Sequence, residues 1–229
     1  MSALPPVAVV TDIEGTTTPI AFVRDVLFPY ARTRLADWVG RAEAAEEIAE
    51  IERMVPGQAP LTTLLHWMDQ DAKVAPLKNL QGLIWAEGYA DGTLKGTLYP
   101  DVASCLRRWS RGGVRLFVYS SGSVEAQKLL FGHSTEGDLT GLFGGFFDTR
   151  IGVKRDSESY TRLAIGMNVP TLEVLFLSDV EAELDAAAMA GMRTCQLVRP
   201  EDGTVASDRH PVAADFPEVA GLLDLPRGG

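Results

Sequence analysis

The chain has 229 residues, 46% of them apolar, 23% charged and 8% aromatic, with a formal net charge of −10. That length and apolar content suit one globular domain, or one domain carrying a smaller insert, and exclude wholesale disorder. The negative charge, with no cluster of Lys and Arg to offset it, argues against a nucleic-acid partner and against an anionic membrane surface.

In chain order, Met1-Ser2-Ala3-Leu4-Pro5-Pro6 has neither a basic region nor a long apolar one. No apolar run approaches the roughly 20 residues a spanning helix needs, so a soluble, cytoplasmic chain is expected. The first apolar run, Val7-Ala8-Val9-Val10-Thr11-Asp12, has the near-continuous β-branched character of a strand buried on both faces of a parallel sheet. From about Ala21 to Lys95 strand signal fades. Val23, Val26, Leu27, Tyr30, Leu35 and Trp38 lie at broadly helical spacing, and Pro29 should start a new turn or kink the first helix. Arg41 to Val55 reads as an acidic amphipathic helix ended by Pro56-Gly57, and Leu61 to Met68 and Leu77 to Tyr89 supply two more. A helical insert after the first strand suggests a cap over the site. The expected domains are a core of residues 1–20 with 96–229 and a helical cap of 21–95.

Beyond the insert, Asp101 to Arg111 carries Val102, Leu106 and Trp109 at helical spacing before Gly112-Gly113. Then come a second strand, Val114 to Ser121, a helix from Val124 to Phe131, and a short strand around Phe146-Phe147-Asp148. A helix from Ser157 to Met167 opens with Ser157 as cap candidate. A third strong strand, Val174 to Asp179, precedes an Ala-rich helix from Glu181 to Ala190, and Met192 to Val198 forms another strand. Alternating strands and helices predict an α/β doubly wound, Rossmann-like parallel sheet, whose ligand site lies beyond the carboxyl ends of the strands. The tail from Arg199 carries no chemistry we can assign. Cys105 and Cys195 are too few for a disulfide framework and read as buried thiols.

Asp12, Ser120, Ser121 and Asp179 all fall at strand ends. Asp12-Ile13-Glu14-Gly15-Thr16 leaves the first strand at a tight turn, so one carboxylate can attack phosphorus while the other gives and takes the leaving-group proton. The plainer alternative is an Asx turn. Asp179, with Asp12, offers hard oxygen ligands that suit Mg²⁺; its plainer role is to cap the helix that follows, and both roles can hold together. Glu183 reads as a near neighbour of the site or as solvated, and Asp185 as solvated. Ser120 and Ser121 end a strand where a helix begins, an anion-binding position, while Ser123 reads as a simple helix cap. Lys154 is either a surface lysine or the fixed ammonium that phosphoryl transfer requires. Of the three histidines, His66 and His210 read as structural or solvent-facing, and His133 as a weak substrate-contact candidate.

The order Asp12, Ser120, Lys154, Asp179 matches the four ordered motifs of the haloacid dehalogenase-like (HAD) phosphohydrolases over Asp12 to about Pro200. Glu14 departs from the aspartate most members carry there. The longer segments Asp12 to Val23 and Tyr119 to Gly132, with Glu158-Ser159-Tyr160, resemble the enolase-phosphatase (acireductone synthase) family of methionine salvage. The resemblance implies a HAD-like core and a bifunctional enzyme that enolises and then dephosphorylates 2,3-diketo-5-methylthiopentyl-1-phosphate. It implies one Mg²⁺ per chain, held by Asp12, Asp179 and the Glu14 position through its backbone carbonyl. Asp12 would be the phosphorylated residue, Glu14 and Lys154 its catalytic companions, and Ser120, Ser121 and Lys154 the substrate contacts. The expected partner is a small-molecule phosphate ester, and the expected state is a monomer. The alternatives are a HAD phosphatase for another small ester, or a non-catalytic HAD binding module.

Overall fold

The structure, a computed structural model, describes residues 5–226. The first four residues, Met1 to Leu4, read above for a leader, lie outside them. The chain packs as two units, one running through Ile20 and resuming at Gly96, the other Ala21–Lys95.

The first unit is built on six parallel strands: β1 (Ala8–Thr11), β2 (Arg115–Tyr119), β3 (Phe143–Phe147), β4 (Val174–Ser178), β5 (Arg193–Leu197) and β6 (Val212–Ala213). Their order across the sheet is β3-β2-β1-β4-β5-β6. The chain thus winds from β1 to one edge, returns to β4, and winds to the other edge. β1 and β4 are the neighbours between which the winding direction reverses, the point where such sheets open a crevice. All residues of β1 and β4 are buried, as continuous apolar runs require of central parallel strands. Their register pairs Thr11 with Leu177, so Asp12 and Asp179 leave adjacent strands at nearly the same level. With strands about 4.8 Å apart, these two residues are drawn together by the ladder itself.

The second unit is helical. α1 (Ile20–Phe22), whose first residue closes the first unit, runs into a π-helical turn (Val23–Leu27) and then α2 (Phe28–Trp38). The Phe28 amide donates to Val23 O five residues back, immediately before Pro29. Pro29 has no N–H to donate, so the wide turn is placed where the ordinary ladder would fail. A 3₁₀ turn (Ala42–Ala44) precedes α3 (Ala45–Met54), so the expected Arg41–Val55 helix starts later than its amphipathic pattern. α4 (Pro60–Asp69) and α5 (Ala75–Ala90) complete this unit. Leu35, Ile51, Leu64, Leu80 and Ile84 are fully buried in its own core.

Back in the first unit, α6 (Val102–Arg111), α7 (Val124–Gly132), α8 (Ser157–Met167), α9 (Glu181–Met189) and α10 (Phe216–Leu222) flank the sheet. Val10, Phe117, Phe176, Tyr160, Leu163 and Leu184 form one buried cluster. Tyr160 meets Tyr119 and Phe176 edge-on, with centroids 5.6 and 5.0 Å apart.

Further details qualify the sequence expectation. The carboxylate of Asp156, not the Ser157 hydroxyl, caps α8, accepting from Glu158 N at 3.0 Å. Asp179 does not cap α9; Ser178 Oγ accepts from Val180 N instead, which leaves the Asp179 carboxyl to the crevice. The tail, to which the sequence assigned no chemistry, contributes β6 and α10. The two cysteines are buried, and burial pushes the Cys195 thiol up to about 12. No described helix is long and apolar enough to cross a membrane.

Candidate active site

The turn after β1 is tied to itself before it is tied to anything else. Thr16, Thr17 and Thr18 all donate their amides to Ile13 O, at 2.8 to 3.2 Å, so the chain reverses within five residues. Gly15 stands at φ +67°, and a Cβ there would lie 2.5 Å from Asp179 Oδ2. Glycine is therefore needed twice, for the left-handed backbone and for the space Asp179 occupies.

Asp12 emerges from this turn 5% exposed. Its Oδ1 accepts from the Ile13 amide at 2.7 Å and from Lys154 Nζ at 2.8 Å. Lys154, from the loop before α8, also donates to Glu183 Oε2 at 2.6 Å. Its own backbone is braced, because Tyr160 Oη donates to Lys154 O at 2.7 Å. Burial alone would push the Lys154 ammonium down, but the carboxylates of Asp12 and Glu183 outweigh it and hold the pKa above the usual lysine range. The surface-lysine alternative therefore does not describe this residue.

The two remaining acids are pushed the other way. Asp179 is raised to about 7 by burial and then by the charges of Asp12 and Glu183. Glu183 is likewise raised to about 7, by burial first and Asp12 second. Ser178 Oγ donates to Glu183 Oε2 at 3.0 Å, which fixes that carboxylate toward Lys154.

Across the sheet, Ser120 follows β2, with its amide bonded to Phe147 O at 3.1 Å and its hydroxyl accepting from Gly122 N at 3.3 Å. The buried carboxamide of Gln127 braces this loop by donating to Gly122 O and Phe147 O, both at 2.8 Å. Ser123 caps α7 by accepting from Ala126 N at 3.2 Å, the role expected of it.

One cavity of about 250 Å³ gathers Asp12, Glu14, Ser120, Ser121, Lys154 and Asp179, together with Glu183, Ile20 and Val180. The six candidates singled out from sequence thus meet at one rim, although 167 residues of sequence separate Asp12 from Asp179. Glu183 is the member that sequence left open, and its only signal was a position one turn into the helix that begins beside Asp179. The histidines lie elsewhere. His133 is exposed at the end of α7, its ring Nδ1 3.2 Å from Leu129 O. His210 bridges Thr194 Oγ1 and Asp185 Oδ1, at 2.8 and 3.0 Å, so Asp185 belongs to a side-chain network rather than to solvent alone.

The charge pattern of the cavity fits a divalent cation. Asp12, Asp179 and Glu183 share it with one ammonium already paired twice, and a phosphate ester would add further negative charge. Among the described residues, no group of three or more His, Cys, Asp or Glu side chains gathers as metal ligands. Magnesium needs only one or two carboxylates and keeps waters for its remaining positions. Asp12 and Asp179 meet that requirement.

The neighbouring tail anchors the turn after β1. Arg199, 3% exposed, donates to Thr16 O at 2.9 Å while paired with Asp101 at 2.9 and 3.1 Å. Tyr99 N donates to Thr17 O at 3.0 Å, and Ile20 N donates to Asp202 Oδ1 at 3.3 Å. Three grips therefore hold the stretch from Thr16 to Ile20.

A family model for haloacid dehalogenase-like hydrolases matches residues 7–191. The curated protein named Enolase-phosphatase E1 from Granulibacter bethesdensis is 56% identical over 227 residues, covering 97% of this chain and 98% of that one. Its namesake from Acidiphilium cryptum is also 56% identical, covering 96% and 97%. Among solved structures, the UTR4 protein of Saccharomyces cerevisiae superposes with a TM-score of 0.80 at 33% identity, over 92% of this chain and 98% of that one. CbbY from Rhodobacter sphaeroides, in complex with phosphate, shares the fold at 18% identity and a TM-score of 0.64, over 96% and 100%.

Proposed function

Because the chain belongs to the haloacid dehalogenase-like hydrolases, and within them to the enolase-phosphatases, we propose that this cavity enolises and then dephosphorylates 2,3-diketo-5-methylthiopentyl-1-phosphate. The products are inorganic phosphate and 1,2-dihydroxy-3-keto-5-methylthiopentene, as methionine salvage requires. The observation that carries this reading is the buried Asp12 carboxylate held at 2.8 Å by Lys154 in a cavity that also contains Glu14, Ser120, Ser121 and Asp179.

In the enolisation half, a general base takes a proton from C1, negative charge gathers on the C2 oxygen, and that oxygen regains a proton as the enol forms. The Lys154 ammonium is the fixed positive charge beside that oxygen, already oriented before substrate arrives. In the phosphatase half, the Asp12 carboxylate attacks phosphorus and the bond from phosphorus to the C1 oxygen breaks. Glu14 gives that oxygen its proton. Water then attacks the aspartyl phosphate, Glu14 takes the water's proton, and phosphate leaves. Ser120 and Ser121 bind the phosphoryl oxygens at the start of α7. Asp12, Asp179 and the Glu14 backbone carbonyl would hold Mg²⁺, which supplies charge neutralisation at phosphate oxygens and at an enolate. The enzyme is expected to act as a cytoplasmic monomer, and sedimentation of the purified chain checks the assembly state.

Phosphate release measured across a panel of small esters tests the assignment. The diketone phosphate should give the highest kcat/KM, with Mg²⁺ required. Preference for an ordinary sugar phosphate would overturn the substrate assignment, and absence of any turnover would favour a binding module.

A further inference from the structure

Gln196 lies beyond the last residue that the family model matches, and nothing about its position in the sequence points to the site. It ends up beside it because β5 pairs with β4 in a register that sets Gln196 against Ser178, the residue before Asp179. The side chain is 1% exposed. Its Nε2 donates to Asp179 O at 2.9 Å and to Val205 O at 3.1 Å, while its Oε1 accepts from Ser207 N at 2.7 Å. Both N–H groups and the carbonyl are thus satisfied, which fixes the carboxamide in one orientation.

We propose that Gln196 is a positioning residue for the cation site: its carboxamide sets the backbone of Asp179, and so the direction in which the Asp179 carboxylate meets a divalent cation. The inference rests on the reading of Asp179 as a magnesium ligand. Asp179 is held from two sides. Gly15 presses against its carboxyl end, leaving no room for a Cβ, and Gln196 holds its main-chain carbonyl. A ligand carboxylate works only over a narrow range of directions, and partners that fix a ligand are commonly worth about 10- to 100-fold in metal affinity. The same amide ties the Val205–Ser207 loop, so the alternative is a purely structural bond for that loop.

Two substitutions separate the roles. Gln196→Met keeps length and volume without donors, and Gln196→Glu places an oxygen against the carbonyls of Asp179 and Val205. Titration calorimetry of the metal-free full-length chain with Mg²⁺ alone should show the Kd rising about 10- to 100-fold in both variants. At low Mg²⁺ kcat should fall and recover as Mg²⁺ is raised, with KM for the ester changed less than threefold. A lowered Tm with an unchanged Mg²⁺ Kd would assign Gln196 to loop bracing and overturn the proposal, as would failure of both variants to fold. A wild-type chain that binds no Mg²⁺ would overturn the reading of the site and this role with it. Unchanged variants against a binding wild type would overturn the role of Gln196 alone.

Discussion

Replacing Lys154 by methionine removes the one ammonium of the cavity while keeping most of its volume. The ammonium sits 2.8 Å from Asp12 and 2.6 Å from Glu183. At an effective dielectric near 20, each contact corresponds to a Coulomb energy of about 6 kcal/mol. Desolvation of the buried ions offsets much of this, and removing one partner of a buried pair nets about 3–5 kcal/mol of lost stability. The stranded carboxylates can escape by binding protons. Asp179 and Glu183 already sit at about 7, raised above ordinary values of 3.8 and 4.5, and the Lys154 charge is a force holding both down. A carboxyl raised in the folded state contributes stability that is complete below its unfolded pKa and lost as pH rises through its folded one. The destabilisation should therefore be larger at pH 8 than at pH 6, read from denaturant unfolding of metal-free protein. Activity should fall about 10²- to 10³-fold or more, since a preorganised charge at the reacting group is lost. Phosphate release within tenfold of wild type, or an equal loss of stability at both pH values, would refute this account of the site.

Asp12→Asn should abolish phosphate release, by about 10⁴-fold or more, because an amide cannot form the acyl phosphate; trapping of labelled phosphate on wild type but not the variant checks the covalent step. Gly15→Ala should cost at least about 1–2 kcal/mol from the positive φ alone, and should weaken Mg²⁺ binding further by displacing Asp179 Oδ2, as calorimetry would show. Mg²⁺ affinity should fall as pH drops below 7, because burial and the neighbouring Asp12 charge hold a proton on Asp179 that the ion must expel. Heats measured in buffers of different ionisation enthalpy should then report proton release near pH 6.5 and little near pH 9.

Much of this molecule was legible along the chain. Val7 to Asp12 and Val174 to Asp179 could be read as strands because their apolar residues run nearly unbroken to the strand end, as burial on both faces favours. The polar residue that ends it then marks the site. The lysine of the Val153-Lys154 loop could be placed only through its order among the motifs, since nothing local distinguishes it from a surface lysine. Less was legible where burial is decided by a partner far away. Glu183, one turn into an Ala-rich helix, looks the same in sequence whether it meets solvent or Lys154. Arg199 reads as a charged tail residue, yet it is buried between Asp101 and the Thr16 carbonyl. The cap of α8 fell to Asp156 instead of Ser157 by one residue, a choice that local backbone angles make. β6 is two residues long and carries no periodicity of its own.

The chain by itself therefore determined which long apolar runs become strands and which polar residues close them, because these follow from local patterns of apolar and polar side chains, while the order of those residues along the chain pointed to the chemistry. Only the tertiary structure decided which ammonium pairs with which carboxylate, how far burial raises Asp179 and Glu183, and that a tail amide at Gln196 reaches the Asp179 carbonyl. Those outcomes depend on strand order and on solvent exclusion by residues far apart in the chain, Asp12 and Glu183 being 171 positions apart, a distance over which sequence pattern carries no signal.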